Sequence, residues 1–447
     1  MAGSEGAIGL WHRLVHEDAT APMCASLADQ MRERRLTFGG RLLCPFLRPF
    51  FLSSADEARV KAAAEMLWHL GERVAAHAAG DPRMLEYLGL SADEIRLAEI
   101  DPGYQVASTA ARADAFLLPG SLQFAEYNAE SPAGPGYSQR LAELFDEQPL
   151  MSRFKEQFDV RFYTPITQLL GALLESYRDW GGLERAPRIA IVDWREVPTW
   201  SEFELLRDAF TSVGIPTVVS DPRDLEFDRS RGLLADGERV DLVYRRVLIN
   251  DIVARPDECR ALIDAYAARA VCVANTLRCK IAHKKAFFAA LTDERYASLF
   301  SAAERQVIAE HVPWTRVVRD DLAGDIRRRR ETLVLKPNDE YGGTGVTLGW
   351  ETSEGAWDDA IATALREWED SRRPWVVQER INVRREIFPV CERDSIVERD
   401  MLVDFAPYLF RGRVAGFLTR LSATGLANVT SGGGQVPAFV VDKKDRS

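Results

Sequence analysis

The sequence predicts a mixed fold of the α/β class, with α+β features, made of three successive segments. Residues 188–274 alternate short apolar strands with an amphipathic helix, a pattern typical of a parallel sheet covered by helices. Residues 333–348 contain a buried strand, a glycine-rich loop and a second strand. We therefore expect a helical region over residues 1–185, a Rossmann-like βαβ region over 186–275, and a strand-rich region carrying the glycine-rich loop over 276–447.

The charge and composition of the chain disfavour several classes of function. Its 57 lysines and arginines against 68 aspartates and glutamates give a net charge of −11 over 447 residues, which argues against a primary role on nucleic acid or an anionic membrane. No apolar run reaches the roughly 18 residues that a membrane span needs, and the N-terminus lacks the features of a signal peptide. We therefore expect a cytoplasmic protein with no nucleic-acid partner and no membrane association.

The cysteines support the same location. None of the six forms a Cys-x-x-Cys pair, and their spacings are wide and irregular, which makes a structural zinc site an unfavoured interpretation. We expect reduced, mostly buried thiols. The residues concerned are Cys24, Cys44, Cys259, Cys272, Cys279 and Cys391.

The first hundred residues have the periodicity of helices. Apolar side chains recur near one helical face over residues 56–79, and Ser53 or Ser54 could cap the N-terminus of that helix. Ser91 begins a capping-box pattern that predicts a second helix. These patterns predict secondary structure and indicate no chemistry.

A predicted β-hairpin carries the first pair of candidate ligands. The apolar runs 115–119 and 122–127 meet at a Pro-Gly pair, which favours a tight turn. Because side chains alternate along a strand, Glu126 and Asn128 lie on one face. A carboxylate and an amide oxygen that project together suit Mg²⁺, which takes few protein ligands. The alternative is a solvated strand edge, with Asn128 at the start of the next turn.

The middle of the chain predicts a small parallel sheet. A continuous apolar strand over 188–193 is followed by an amphipathic helix over 201–213 and a second strand over 216–220. Further apolar strands at 242–244 and 272–274 continue the alternation. The turn after the first strand contains no Gly-x-Gly-x-x-Gly, so dinucleotide binding there is disfavoured.

The strongest chemical motif lies at residues 333–346. A buried strand delivers Lys336 at its end, and a glycine-rich loop follows. Glycines let backbone N–H groups close around phosphate oxygens because no Cβ blocks the approach, and the lysine supplies a positive charge. The order differs from a Walker A loop, in which the lysine follows the glycines. The alternative is an ordinary hairpin turn with an exposed lysine. The predicted phosphate-binding loop comprises Gly342, Gly343, Thr344 and Gly345.

Two later segments add polar groups at the ends of apolar strands. Residues 375–381 form an apolar strand that ends in polar residues. In residues 416–422 another strand ends near Arg420, whose guanidinium could clamp a phosphate or a carboxylate. The glycines at 432–434 could form a mobile lid. The alternatives are a plain strand and a flexible loop near the C-terminus.

Together these segments resemble the ATP-grasp superfamily, and more narrowly its circularly permuted branch of eukaryotic-type glutathione synthetases and glutathionylspermidine-synthetase-like proteins. In the usual order the lysine and glycine loop precede the acidic metal strand, whereas here Glu126 and Asn128 come long before Lys336. The resemblance implies a circularly permuted ATP-grasp fold. In that fold residues 276–447 form the nucleotide-binding domain and its lid, 186–275 belong to a substrate domain, and 1–185 carry the metal strand.

The resemblance also implies roles for individual residues. Mg²⁺ would be held by Glu126, Asn128 and Glu340. One lysine of the Lys284-Lys285 pair should reach the nucleotide phosphates, and the adenine would lie against the strand end at 378–381. The full set implied for the nucleotide is Lys284, Lys285, Lys336, Gly342, Gly343, Thr344, Gly345, Gln378, Glu379, Arg380, Ile381 and Asp404. The set implied for substrate is Arg112, Asp114, Gly432, Gly433 and Gly434, and the set implied for catalysis is Arg420 and Lys336.

The reaction implied by the resemblance is the ATP- and Mg²⁺-dependent joining of a carboxylate to an amine through an acylphosphate. The expected partners are a small-molecule or peptide carboxylate and an amine. Proteins of this branch are often dimers, so a homodimer stays open as an alternative to a monomer. Two alternatives stay open, namely a phosphotransferase that uses the same site and a nucleotide-binding protein without turnover.

Overall fold

A computed structural model describes residues 2–392, 395–423 and 433–444 of the chain. The helices within these residues are α1 (Ala2–Asp18), α2 (Ala21–Glu33), α3 (Ser54–Ala78), α4 (Pro82–Leu88), α5 (Ala92–Glu99), α6 (Pro135–Asp146), α7 (Pro149–Phe154), α8 (Pro165–Asp179), α9 (Trp200–Ser212), α10 (Ile249–Ala254), α11 (Arg260–Ala267), α12 (Cys279–His283), α13 (Ala286–Thr292), α14 (Ala302–His311), α15 (Asp320–Arg328) and α16 (Glu354–Ser371). The strands are β1 (Thr37–Phe38), β2 (Arg41–Leu42), β3 (Phe50–Leu52), β4 (Ala110–Leu118), β5 (Ser121–Asn128), β6 (Phe158–Arg161), β7 (Ile189–Val192), β8 (Thr217–Ser220), β9 (Leu225–Asp228), β10 (Gly232–Ala235), β11 (Glu238–Arg239), β12 (Leu242–Arg245), β13 (Cys272–Ala274), β14 (Thr315–Val317), β15 (Leu333–Pro337), β16 (Thr347–Leu348), β17 (Trp375–Glu379), β18 (Arg384–Glu392), β19 (Ser395–Phe410), β20 (Arg413–Ser422), β21 (Gly434–Val436) and β22 (Ala438–Lys443).

The predicted βαβ unit is present as a four-stranded parallel sheet. Its strand order is β13-β12-β7-β8, and every neighbouring pair is parallel. Helix α9 connects β7 to β8, as the amphipathic pattern of 201–213 predicts. Side chains on both faces of β7 and β12 are buried, which explains their continuous apolar character. The small antiparallel sheet β11-β10-β9 was not predicted.

A six-stranded antiparallel sheet combines strands from the first third and the last third of the chain. Its order is β21-β20-β19-β4-β5, and β18 pairs with the first half of β19. The β4–β5 hairpin has its turn at the predicted Pro-Gly pair, where Gly120 adopts a φ of 72°. Strand β4 lies against β19 with Arg112 opposite Tyr408. Segments 1–185 and 276–447 therefore share this sheet.

A second antiparallel sheet has the order β14-β17-β15-β16. It contains both the strand that delivers Lys336 and the strand over 375–379. Helix α16 covers one face, where its buried side chains Trp357 and Ile361 belong to the same apolar cluster as Leu333 and Leu335 of β15. This packing holds β15 in place beneath the glycine-rich loop.

The N-terminal region is helical, with local differences from expectation. Helix α3 begins after Ser53, whose hydroxyl accepts a hydrogen bond from the N–H of Asp56, and the capping box at Ser91 is formed. Helix α6 begins at Pro135, at the end of the proline- and glycine-rich stretch 131–136, because proline is tolerated in the first turn of a helix. Strand β6, which lies in a stretch expected to be helical, pairs with the C-terminal strand β22.

The expectation that all six cysteines are reduced thiols is wrong for one pair. Cys24 of α2 and Cys391 of β18 form a disulfide, across 367 residues of sequence. Irregular spacing carried no information about this pair, because only tertiary packing brings α2 to β18. The other four cysteines are free and buried, as expected. Among the described residues, no helix is both long and apolar enough to cross a bilayer.

A glycine just after β16 gives a test of this packing. Gly349 is buried, and a Cβ at this position would clash with the backbone carbonyl oxygen of Arg330 and lie 2.8 Å from that of Leu333. Because backbone atoms cannot move aside cheaply, we expect Gly349→Ala to lower the free energy of unfolding by about 1–3 kcal/mol. Urea unfolding of the purified variant measures the change.

Gly355→Ala is the matched control for that measurement. Gly355 lies in the first turn of α16 with nothing near its Cβ position, so alanine there should leave stability unchanged or raise it by up to about 1 kcal/mol. Equal unfolding curves for Gly349→Ala and wild type would contradict the close approach of residue 349 to the 330–333 backbone.

Candidate active site

A cavity of about 230 Å³ lies between the two antiparallel sheets, and we call it the inter-sheet cavity. One wall comes from β4, β5, β19 and β20, and the other from β15, β16, β17 and the glycine-rich loop. Most of the predicted site residues line it although they are far apart in sequence. These are Arg112, Asp114, Glu126, Asn128, Lys285, Lys336, Glu340, Gly342, Gly343, Gln378, Glu379, Ile381, Asp404 and Arg420.

A β-bulge turns the candidate metal ligands toward the inter-sheet cavity. The register between β4 and β5 shifts after Asp114, where Glu126 is the partner of Asp114 and Phe124 is the partner of the next residue. Ala125 is therefore the extra residue, and the burial pattern changes phase there, from Phe124 buried to Tyr127 buried. In an unbroken strand, Glu126 would share the face of Phe124 and point into the core.

Two lysines reach the inter-sheet cavity from its two sides. The ammonium of Lys336 donates to Gln378 Oε1 at 2.6 Å and to the carbonyl of Ala125 at 3.1 Å, which are both neutral acceptors. Burial lowers the pKa of Lys336 to about 8. Lys285 donates to the carbonyl of Glu340, and its Nζ lies 3.6 Å from Glu126 Oε1. Both ammonium groups therefore border the space that an anion could occupy in this cavity.

Lys284 points the other way, into a cluster of buried charges. Its Nζ lies 2.7 Å from Glu94 Oε1 and 2.6 Å from Asp339 Oδ2, and only 3% of its side chain is exposed. Lys280 bridges Asp339 and Glu130 from the same side, at 2.8 Å and 3.1 Å. These ion pairs hold the pKa of Asp339 well below its usual range, although burial acts in the opposite sense. Of the lysine pair, Lys285 reaches the cavity and Lys284 anchors the strand end next to it.

The glycine-rich loop begins directly after this anchor. Asn338 is also fixed, because its side chain accepts from the N–H of Ala286 at 2.8 Å and donates to the carbonyl of Leu88 at 2.8 Å. Beyond it Gly342 and Gly343 have φ values of 65° and 80°, a region that residues with a side chain rarely adopt. The loop is exposed while its base is buried. Its backbone N–H groups can therefore approach a ligand.

The strand end at 378–381 forms the edge of the inter-sheet cavity. Gln378 is buried and bridges Lys336 to the hydroxyl of Thr315, to which it donates at 3.1 Å. The N–H groups of Glu379 and Arg380 already bond the carbonyls of Trp314 and Thr332. A base in this cavity would consequently meet the backbone at Ile381 rather than the N–H groups of those two residues.

Alternating arginine and aspartate side chains from β4, β19 and β20 line the opposite wall of the cavity. Arg112 donates to both carboxylate oxygens of Asp114, at 2.7 Å and 3.2 Å, and Arg420 donates to Asp114 at 2.6 Å and to Asp404 at 2.8 Å. The two guanidiniums hold the pKa of Asp114 well below its usual range against the effect of burial. Burial raises the pKa of Asp404 to about 6, because Arg420 offsets it only in part. Asp404 Oδ1 is buried without a partner among the described residues.

The remaining predicted site residues do not line the inter-sheet cavity. Arg380 faces another surface depression and stacks on Trp350 at 4.3 Å. Gly433 and Gly434, predicted as part of a mobile lid, are buried, and a Cβ on Gly434 would lie 2.8 Å from the carbonyl of Leu43. Gly432 lies outside the described residues. The other predicted residues outside the lining are Lys284, Thr344 and Gly345.

Sequence reasoning missed the apolar part of the inter-sheet cavity. Its side chains come from both sheets and from the segments that follow β16 and β17, so no local pattern links them. The anchor formed by Glu94, Glu130 and Lys280 was missed for the same reason. The apolar residues are Phe116, Val334, Val346, Leu348, Trp350 and Val383, beside the predicted Ile381.

Comparison with known proteins identifies the family. The family model described as a circularly permuted ATP-grasp matches residues 120–378, more than half of the chain. The matched span includes β5, the parallel sheet, the glycine-rich loop and most of β17. It confirms the predicted resemblance and the fold class. No curated protein matches the chain by sequence.

One similar solved structure supports the fold, and two others have TM-scores too low to carry an argument. A glutathione synthetase-like effector from Globodera pallida, in its apo form, has 13% sequence identity and a TM-score of 0.61, over 93% of this chain and 96% of that one. A protein described as a γ-glutamylcysteine synthetase from Methylobacillus flagellatus has 13% identity and a TM-score of 0.40, over 81% and 84% of the two chains. A D-cycloserine synthetase has 15% identity and a TM-score of 0.29, over 52% and 89%. At these identities the likeness concerns the fold alone.

The different placements of the adjacent lysines predict different effects on stability. Lys284→Met leaves the carboxylates of Glu94 and Asp339 short of a buried partner, so we expect it to lower the free energy of unfolding by about 3–5 kcal/mol. Lys285→Met removes one bond to a carbonyl and should lower it by at most about 1 kcal/mol. Urea unfolding of both variants measures the two changes in the free energy of unfolding. If the two variants lost equal stability, Lys284 would not be the anchor.

Proposed function

The chain belongs to the circularly permuted ATP-grasp family, and from its site we propose that it is an ATP-dependent ligase that joins a carboxylate to an amine. The observation that carries the proposal is the composition of the inter-sheet cavity. There an apolar portion adjoins Lys285 and Lys336, and the paired guanidiniums of Arg112 and Arg420 lie on the opposite wall. A nucleotide needs the first two features, and a second, carboxylate-bearing reactant can use the third.

The nucleotide would lie along the sheet that contains β15. Val334, Leu348 and Trp350 offer apolar surface to a base, and the backbone at Ile381 offers polar groups to its edge. Lys336 and Lys285 then lie where phosphate oxygens would follow. N–H groups of the glycine-rich loop can close over the same oxygens, because the positive φ angles at 342 and 343 turn the backbone without a side chain in the way.

The residues present fit a magnesium ion. Glu126, Asn128 and Glu340 all line the inter-sheet cavity, and oxygen ligands of this kind are those that Mg²⁺ prefers. The buried Nδ2 of Asn128 has no partner among the described residues, so no protein contact prevents the amide oxygen from facing the ion. When bound there, Mg²⁺ would offset the charge of the phosphate oxygens.

The proposed reaction has two steps. An oxygen of the substrate carboxylate attacks the γ-phosphorus of ATP. The bond between that phosphorus and the β-phosphate oxygen breaks, which releases ADP and yields an acylphosphate. An amine then attacks the acyl carbon, the bond from that carbon to the phosphate oxygen breaks, and one amine proton leaves with the inorganic phosphate, which yields an amide. The protein contributes by holding the reactants in line and by placing positive charge beside the oxygens. Lys336 is the residue best placed to do this at the transferred phosphate.

Arg420 and Arg112 would orient the carboxylate-bearing substrate. Arg420 donates one hydrogen bond to Asp114 and two to Asp404, and Asp404 is the carboxylate that takes up a proton more readily because burial raises its pKa to about 6. A substrate carboxylate or acylphosphate can therefore take over hydrogen bonds of Arg420 while Asp114 keeps the guanidinium in place. This exchange would couple substrate binding to uptake of a proton by Asp404.

The test of the proposed reaction traps the acylphosphate. Purified protein is incubated with Mg²⁺, ATP and mixtures of amino acids or short peptides, with hydroxylamine replacing the amine. We expect ADP, inorganic phosphate and a hydroxamate with the wild type, and at least about a hundredfold less with Glu340→Gln, because the amide is a far weaker metal ligand. Glu354→Gln, an exposed position in the first turn of α16, is the control and should keep full activity.

Each other outcome of that experiment favours a different function. ADP with a stable phosphorylated product and no hydroxamate would indicate a phosphotransferase. Binding of a non-hydrolysable ATP analogue without turnover of any mixture would indicate a nucleotide-binding protein without turnover. Full activity of Glu340→Gln would remove Glu340 from the metal site.

The lowered pKa of Lys336 predicts how nucleotide binding depends on pH. The ammonium is protonated below about pH 8 and loses its charge as the pH rises through that value, well below the ordinary range of lysine. We expect the affinity for a non-hydrolysable Mg²⁺–ATP analogue to fall by about three- to tenfold between pH 7.5 and 9.5. In Lys336→Arg the charge persists throughout this pH range, so the affinity of that variant should change by less than about twofold between pH 7.5 and 9.5. Calorimetric titration of both proteins measures this, and parallel profiles would show that Lys336 does not contact the phosphates.

A further inference from the structure

A second cavity, of about 690 Å³, shares no residue with the first, and we call it the arginine cavity. It is formed by α4, the turn at 293–296, β14, the start of α15 and one side of α16. Four arginines line it together with three aromatic residues. Nothing in the proposed ligase reaction uses these side chains, so their arrangement needs its own explanation.

Three of these arginines, Arg83, Arg316 and Arg319, have no carboxylate ion pair among the described residues, and Arg316 and Arg319 are the two that are not exposed to solvent. Arg316 donates to the hydroxyl of Thr292 at 3.0 Å and to the carbonyl of Thr315 at 2.8 Å. Arg319 donates to the carbonyl of Val318 at 2.9 Å. Each guanidinium has five N–H donors, so most of them lack a protein acceptor. Both side chains are half-buried, and burial lowers the pKa of Arg319.

Each of the two guanidiniums lies near an aromatic ring. Arg319 lies over the ring of Trp368 at 3.4 Å, and Arg316 lies over that of Trp314 at 5.1 Å. Stacking of this kind fixes the plane of a guanidinium and leaves its N–H edge free to bind a planar or tetrahedral oxyanion. The two arginines are therefore preorganised rather than loosely solvated.

The carboxylates that line the arginine cavity do not offset these charges at close range. Asp293 is paired with Arg295 at 2.6 Å and accepts from the hydroxyl of Tyr87. Asp81 accepts hydrogen bonds from two backbone N–H groups at the start of α4. Glu86 and Asp321 are exposed to solvent, where water screens their charge. The half-buried charges without a partner are thus positive.

We propose that the arginine cavity binds a small molecule through a phosphate or diphosphate group held by Arg316 and Arg319. Each arginine would present two parallel N–H donors to the oxyanion, the geometry in which guanidinium–phosphate pairs are strongest. Tyr296, whose ring also lines the cavity, is available to contact the remainder of the ligand. The site is separate from the one proposed for the ATP phosphates.

Titration with inorganic pyrophosphate, in buffer without divalent cations and at constant ionic strength, tests the proposal. We expect wild-type protein to bind pyrophosphate, and Arg316→Gln and Arg319→Gln to bind it at least about tenfold more weakly, since each loses charge-assisted hydrogen bonds. Circular dichroism establishes that each variant is folded. Arg316→Gln leaves the Arg319–Trp368 stack in place and is therefore an independent test if Arg319→Gln does not fold.

Two controls locate the bound anion. Arg372 lies over the same Trp368 at 4.9 Å but does not line the arginine cavity, so Arg372→Gln should bind pyrophosphate within about twofold of wild type. Lys336→Met, in the inter-sheet cavity, should also leave a full equivalent of binding in the arginine cavity. Loss of all binding in Lys336→Met alone, or equal affinity of wild type, Arg316→Gln and Arg319→Gln, would overturn the proposal.

Discussion

The pairing of β4 with β19 is the constraint on which the candidate site depends. It places a hairpin from the first third of the chain beside strands from the last third, with Arg112 opposite Tyr408. Asp114 of the hairpin thereby meets Arg420 of β20, and Glu126 faces Lys285 across the inter-sheet cavity. In this order of elements β5 and the glycine-rich loop are far apart in sequence, so they meet only through such a long-range pairing.

Charge balance then decides which cations are available to ligands. A buried charge without a partner is costly, so the interior pairs its charges closely. Lys284 and Lys280 form ion pairs with Asp339, Glu94 and Glu130, and Arg112 forms one with Asp114. Lys336 donates to the neutral oxygens of Gln378 and Ala125 and, within the part of the chain that the structure describes, has no carboxylate within ion-pair distance. Arg316 and Arg319 likewise have no carboxylate partner among the described residues, unlike the nearby arginines that form ion pairs.

Prediction from sequence succeeded where short-range chemistry sufficed. The βαβ alternation, the β4–β5 turn and the caps of α3 and α5 are local patterns, and the structure contains them. The shared face of Glu126 and Asn128 follows from strand alternation alone. Which way that face points did not follow, because it depends on the bulge at Ala125, for which the strand sequence carries no glycine or other marker.

The sequence by itself determined many of the local elements and the chemical inventory of the site: a strand ending near Lys336, a glycine-rich loop, and an acid-x-amide strand. Tertiary structure alone decided which groups remain free to act. Lys284 and Lys285 are identical side chains on adjacent residues, yet one is neutralised in the interior and the other reaches the cavity. The Cys24–Cys391 disulfide was decided in the same way. The physical reason is that pairing and burial depend on neighbours supplied by distant segments, whereas turns, caps and strand alternation depend on covalent geometry within a few residues.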